Sequence, residues 1–268
     1  MLYLALALSV VAVPQAAGRE SDCPAVASEA AREEARLLLN AGQEHLAAGL
    51  FAQGEDELRA AAKLDPASAF PPYALGLALM DRQRFPEAVL AFSLCRDALR
   101  CIREGDPKAK EQFRRNLDRE IRELRTMVSG LERDRLVRQL VRGQEANGGD
   151  RGRLGESAKT VHVLEQRLAD LALLRNRPDR EPAALAVALG DAHFRAGDLE
   201  QAEREFRRAL ATEPKSGDAH NNLAVVLMLG GKLDEAEREV AAAERAGVHV
   251  APRLKDEIQK RRLAPPPR

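Results

Sequence analysis

A short pattern returns along this chain at an interval of 34 residues: Ala41-Gly42 is followed by Leu75-Gly76, and Leu189-Gly190 by Leu223-Ala224. On rulers of 34 places begun at Ala35, Ala69, Ala183 and Gly217, these pairs fall at places 7 and 8. The third unit carries the fullest version, with His193 at place 11, Gly197 at 15, Ala202 at 20, Phe206 at 24, Ala209 at 27 and Pro214 at 32. Each place has a physical reason. A very small residue at place 8 lets one helix lie close on the next, and glycine at place 15 can take the positive φ of an interhelix turn. Proline at place 32 stops a second helix, because it has no N–H and clashes with the preceding turn. A unit of this kind cannot bury its apolar flank alone and must stack on its neighbours.

The other units fill the same places with fewer matches. The first has His45, Gly49, Gly54, Leu58, Ala61 and Pro66; the second has Leu79, Ala88, Phe92 and Cys95, with Arg100 where proline would stand. The fourth has Leu227, Gly231, Ala236, Val240 and Ala243, with Val248 in place of the proline. The four units form two tandem pairs, 35–102 and 183–250, covering about half of the 268 residues. The pattern resembles the tetratricopeptide repeat, as found in exported bacterial members of that family. The resemblance implies an all-α solenoid of helical hairpins, in two pairs of repeats separated in sequence by a long helical, coiled-coil-like hairpin. Composition agrees, since alanine, leucine, glutamate and arginine dominate and aromatics are only 3%.

Residues 103–182 break the period. From Asp106 to about Val141 the chain reads as one charged helix of ~54 Å, with Leu117, Ile121, Leu124, Val128 and Leu131 in the 4,3 spacing of a coiled-coil seam. Ser129-Gly130 is its weak point, where a kink is possible but not a stop. A glycine-rich loop follows over 143–156; it lacks the glycine spacing of a phosphate loop before Lys159-Thr160. Val161, Leu164, Leu168, Leu171 and Leu174 then form a second apolar stripe, the natural antiparallel mate of the first. Residues 251–263 read as a terminal helix whose Leu254 and Ile258 cover the exposed end of the repeat core, and 264–268 as a proline-rich tail.

The opening residues "MLYLALALSVVAVPQAAGRE" hold an apolar run too short to span a bilayer, ended by Pro14 and followed by small residues. Residues 1–18 are therefore expected to be a signal peptide, or alternatively an N-terminal anchor, ahead of a segment 19–34; the expected location is periplasmic or secreted. Three cysteines are an odd number and suggest no disulfide framework. Cys95 is expected to be a buried apolar residue, and it could bridge to Cys101 only if its helix ended between them.

Lys+Arg and Asp+Glu balance at 42 each, so no net field draws the chain to nucleic acid. There is no nucleophile elbow, HExxH pair, CxxC motif or dinucleotide fingerprint. Glu203 and Glu205 are expected on solvated helix faces, and His45, His193 and His220 at inward packing places. No catalytic residue, metal site, cofactor or small-molecule substrate is expected. The resemblance instead implies a protein or peptide partner held on the concave surface made by the first helix of each repeat. Carried onto this chain, that surface comprises Arg36, Asn40, Gln43, Tyr73, Leu77, Met80 and Asp81 in the first pair. In the second pair it comprises Val187, Asp191, Phe194, Arg195, Asp218, Asn221, Asn222, Val225 and Met228. Asn40 and Asn222 occupy a place used by members that clamp a chaperone's terminal carboxylate. Place 5, however, holds Leu39, Tyr73, Val187 and Asn221, without the lysine such a clamp needs. Two other readings remain: self-association through the central hairpin, and an accessory subunit regulating an enzyme.

Overall fold

A computed structural model describes residues 23–25, 27–105, 107–142 and 181–263, although not every side chain of 107–142. The leader, the 143–156 loop, the Val161–Leu174 stripe, His162, the Leu131 side chain and the proline-rich tail lie outside the described residues.

Ten α-helices and no strand occur among the described residues: α1 (Glu29–Ala47), α2 (Phe51–Leu64), α3 (Phe70–Asp81), α4 (Phe85–Glu104), α5 (Pro107–Arg142), α6 (Ala183–Arg195), α7 (Leu199–Thr212), α8 (Gly217–Leu229), α9 (Leu233–Arg245) and α10 (Pro252–Leu263). The hairpins α1–α2, α3–α4, α6–α7 and α8–α9 are the four repeat units, and each packs on the next. Within a hairpin the two helices lie very close at place 8. A Cβ added to Gly76 would sit 2.5 Å from the Phe92 ring, and one added to Gly190 would sit 2.6 Å from the Phe206 ring. Both rings are fully buried and have nowhere to move.

The turns show the same logic and one departure from it. Gly49, Gly197 and Gly231 take φ of 79°, 88° and 77°, whereas the second repeat places Gln83 there at φ 59°. A side chain in this region is crowded against the backbone by about 1 kcal/mol or more. Glycine's extra unfolded freedom offsets part of the relief. Gln83→Gly is therefore expected to stabilise the protein by about 0.5–1 kcal/mol in urea titration; a loss of stability would mean that the exposed glutamine makes up for its strained backbone.

Proline closes the second helix in the first and third repeats. α2 ends at Leu64 before Asp65-Pro66, and α7 ends at Thr212 before Glu213-Pro214. With Arg100 in place of proline, α4 runs on to Glu104. That extra turn carries Cys101, and the segment ahead of α1 brings Cys23 to it; the two form a disulfide. This corrects the expectation that the three cysteines make no disulfide framework. Cys101 pairs across 78 residues, not with Cys95. Cys95 is free and buried, and burial, aided by the nearby Glu181 carboxylate, pushes its thiol up to about 12.

The two repeat pairs are separated in sequence but stacked in space. α6 packs directly on α4, and Leu185, Leu189 and Ala192 of α6 join the same buried cluster as Phe92, Cys95 and Leu99 of α4. At this junction Arg96 donates to Glu181 at 2.7 and 2.9 Å and to Glu205 at 2.5 and 2.8 Å. Residues 103–182 thus separate the two pairs in sequence without parting α4 from α6.

Inside each pair an ion bridge repeats at equivalent places. Glu55 accepts from Arg84 of the following repeat at 2.6 Å and from Arg59 of its own helix at 2.8 Å. Glu203 accepts from Lys232 of the following repeat at 2.6 Å and also from Arg207 of its own helix. Burial alone would raise the Glu203 carboxyl, but these two cations hold it below its ordinary range. Glu203 and Glu205 are therefore not on solvated faces; only 9% and 7% of their surface is exposed. The sequence signal was hidden because Lys232 and Arg96, which meet them across the repeat junctions, come from other repeats.

α5 crosses the first turns of α3 and α1. Phe113 stacks on Phe70 with ring centroids 6.2 Å apart, and Arg119 lies 3.6 Å from Glu33. Phe113, Leu117, Ile121 and Leu124 join the buried cluster of the first pair, Val128 is also buried, and the helix passes Ser129-Gly130 unbroken. At the other end, Leu254 and Ile258 of α10 close the core of the fourth repeat. Among the described residues, no helix is long and apolar enough to cross a membrane.

Candidate partner-binding face

The first helices of the hairpins, α1, α3, α6 and α8, carry every residue expected on the concave surface. Their environments differ. In the first pair Asn40 and Gln43 are half-buried, and the Gln43 amide nitrogen is enclosed without a hydrogen-bond partner. Tyr73 leans on the Phe92 ring, centroid to centroid 5.8 Å, and Met80 packs on the core. Leu77 is 44% exposed, and Asp81 lies open at the end of α3.

In the second pair the structure brings several expected residues together. Asn222 donates from its amide to Asp191 at 3.0 Å, linking α8 to α6, and Asn221 donates to Asn222 at 3.3 Å. Val187, Phe194 and Val225 stand partly buried against the core of this pair. Arg195 does not pair with Asp191 one turn before it; its guanidinium lies over the Phe85 ring of α4, 5.9 Å from the centroid. Met228 is buried at 7% exposure in the cluster that holds Leu254 and Ile258 of α10, which leaves little side-chain surface to a partner, and Arg261 of α10 reaches back to its carbonyl at 3.3 Å. The neighbouring Leu229, 39% exposed and not among the expected residues, is the apolar group that this end of α8 presents.

His45, His193 and His220 are partly buried. His45 Nδ1 lies 2.7 Å from Glu57, and His220 Nδ1 lies 2.6 Å from Glu239, each bridging the two helices of its own repeat. His193 lies 3.7 Å from Asp198. Among the described residues, no group of histidine, cysteine and acidic side chains is arranged to hold a metal ion.

Among the described residues expected on that face, Asp191 is the carboxylate with a large shift. Burial pushes it up to about 6 against the opposing charge of Arg195, and Asp218 adds to the rise. A raised carboxyl costs the native state stability as pH climbs from just below its ordinary value near 3.8 through about 6. Asp191→Asn keeps an acceptor for Asn222 and removes that cost. The variant is expected to gain about 1–2 kcal/mol at pH 7.5 and almost nothing at about pH 3 in chemical denaturation. An equal effect at both pH values would place the cause elsewhere.

The profile of the tetratricopeptide repeat matches residues 39–99 and 187–247, the two stacked pairs just described. This chain is a tetratricopeptide repeat protein. Two solved tetratricopeptide structures resemble it only distantly. A thermophilic TPR protein of Thermus thermophilus is 17% identical, with 86% of this chain and 100% of that chain covered and a TM-score of 0.26. PilF of Pseudomonas aeruginosa is 16% identical, with 87% and 90% covered and a TM-score of 0.27. No curated protein sequence matches significantly. Tetratricopeptide repeats in general mediate contacts between proteins.

Proposed function

We propose that this protein is a non-enzymatic scaffold that holds a peptide or protein segment along the concave face of its tetratricopeptide repeats, in envelope or complex assembly. The supporting observation is the direct stacking of α6 on α4, which sets α1, α3, α6 and α8 in one series and not in two short, separate ones. Exposed Leu77 and Leu229, the Asn221–Asn222 amides and half-buried Phe194 suit a segment that buries side chains while its backbone is hydrogen-bonded. Export, with the alternative of an N-terminal anchor, belongs to the same reading, and the Cys23–Cys101 disulfide favours an oxidising compartment. Self-association through the seam draws no support, because Leu117, Ile121, Leu124 and Val128 are already buried within the chain.

In-cell crosslinking followed by mass spectrometry tests the reading. Phe194→Ala with Asn222→Ala is expected to abolish partner capture while circular dichroism shows unchanged helicity. Capture of the same partners by the double variant would remove the second pair from the interface.

A further inference from the structure

Among the described residues four carboxylates are almost fully buried: Glu55, Asp65, Glu203 and Glu205. Glu55 is met by Arg59 and Arg84, Glu203 by Arg207 and Lys232, and Glu205 by Arg96. Asp65, at the end of α2, accepts from the Ala67 backbone with Arg32 nearby. Where this chain encloses a glutamate, it supplies a cation.

Asp191 is the exception on the concave face. It is half-buried beside Val187 and Phe194 of its own helix. Its direct donor is the neutral Asn222 amide at 3.0 Å, and no cation among the described residues reaches salt-bridge distance. The residue placed to supply one, Arg195, lies over Phe85 instead. The other charged group facing it is Asp218 of α8, which is of like sign. An anionic ligand group would be repelled here. A cationic one would replace a missing ion pair with a charge-assisted hydrogen bond in a partly desolvated setting.

We propose that the concave face of the third and fourth repeats takes a peptide segment bearing a lysine or arginine side chain, whose cation binds Asp191 beside Asp218, while Asn221 and Asn222 serve its backbone. This rests on the groove reading above and names the chemistry of its partner. It is the opposite polarity to the carboxylate clamp that the sequence already argues against. Arg195 stays on Phe85, and Asp191 takes the incoming cation in addition to the neutral Asn222 amide.

The test selects a random peptide library, displayed on phage, against the immobilised full chain. Selected peptides are expected to share a lysine or arginine at a fixed distance from an apolar residue. A synthetic copy should bind the wild type about tenfold more tightly than Asp191→Asn at pH 7.5, with the gap narrowing at pH 5 as Asp191 protonates. A copy with norleucine for the basic residue should lose as much on the wild type and nothing further on the variant. Melting curves establish that Asp191→Asn is folded. The inference is overturned if selection yields no peptide that Asp191→Asn loses, or if the selected peptides lack basic residues. In that event, peptides still lost by the Phe194→Ala, Asn222→Ala protein would leave the groove standing without its cation; peptides bound equally by that protein would remove the groove as well.

Discussion

Replacing Cys23 and Cys101 together by serine is expected to lower stability by about 2–4 kcal/mol. The bridge closes a loop across 78 residues, enclosing nearly all of the first two repeats. Without it, the unfolded chain regains the freedom of that whole loop, and the ends of α1 and α4 have no covalent tie. Urea titrations with and without a phosphine reductant provide the check. The reductant should shift the wild-type midpoint down to that of the variant and leave the variant unmoved. Cys95 should not contribute, because its thiol is enclosed and held protonated. Equal midpoints for all four samples would show that the bridge adds nothing.

Arg96→Ala is expected to cost about 2–4 kcal/mol. Arg96 is 21% exposed at its side chain, and the two glutamates it joins, Glu181 and Glu205, are 11% and 10% exposed. Removing the arginine leaves two buried carboxylates facing the space it filled. Arg208, 3.8 Å from Glu181 and 3.9 Å from Glu205, softens the loss without replacing it. Because repeat arrays hold together through contacts between neighbours, weakening this junction should also broaden the melting transition or split it into two. Adding Glu205→Gln to Arg96→Ala should recover part of the stability, which a purely steric role for Arg96 would not allow. A single, unshifted transition would show that apolar packing of α4 on α6 carries the junction alone.

The repeat architecture was readable because its causes are local and periodic. Gly76 with Phe92, and Gly190 with Phe206, stand sixteen places apart in each unit, so one contact writes itself into the sequence twice. Pro66 and Pro214 likewise mark helix ends. What stayed hidden depends on distant partners. Nothing near Cys101 points to Cys23, and nothing near Glu203 or Glu205 announces Lys232 or Arg96. Their burial looked improbable because each helix was read with only its own neighbours. Gln83 kept the turn conformation without the residue that normally signals it. On the concave face the places were legible but not their states. The ruler could place Met228, yet only the return of α10 closes the surface around it. Asn222 could be named as a groove residue, although its bond to Asp191 spans two repeats.

In this fold the third repeat lies against the second, although residues 103–182 separate them in sequence. Zero-length crosslinking of Arg96→Lys, with a carbodiimide that joins an amine to a carboxylate in direct contact, tests this at the junction. In the monomer fraction, mass spectrometry should recover residue 96 joined to Glu205 or Glu181. Recovery of residue 96 joined only to carboxylates of the first two repeats would mean that the pairs stand apart and share no common face.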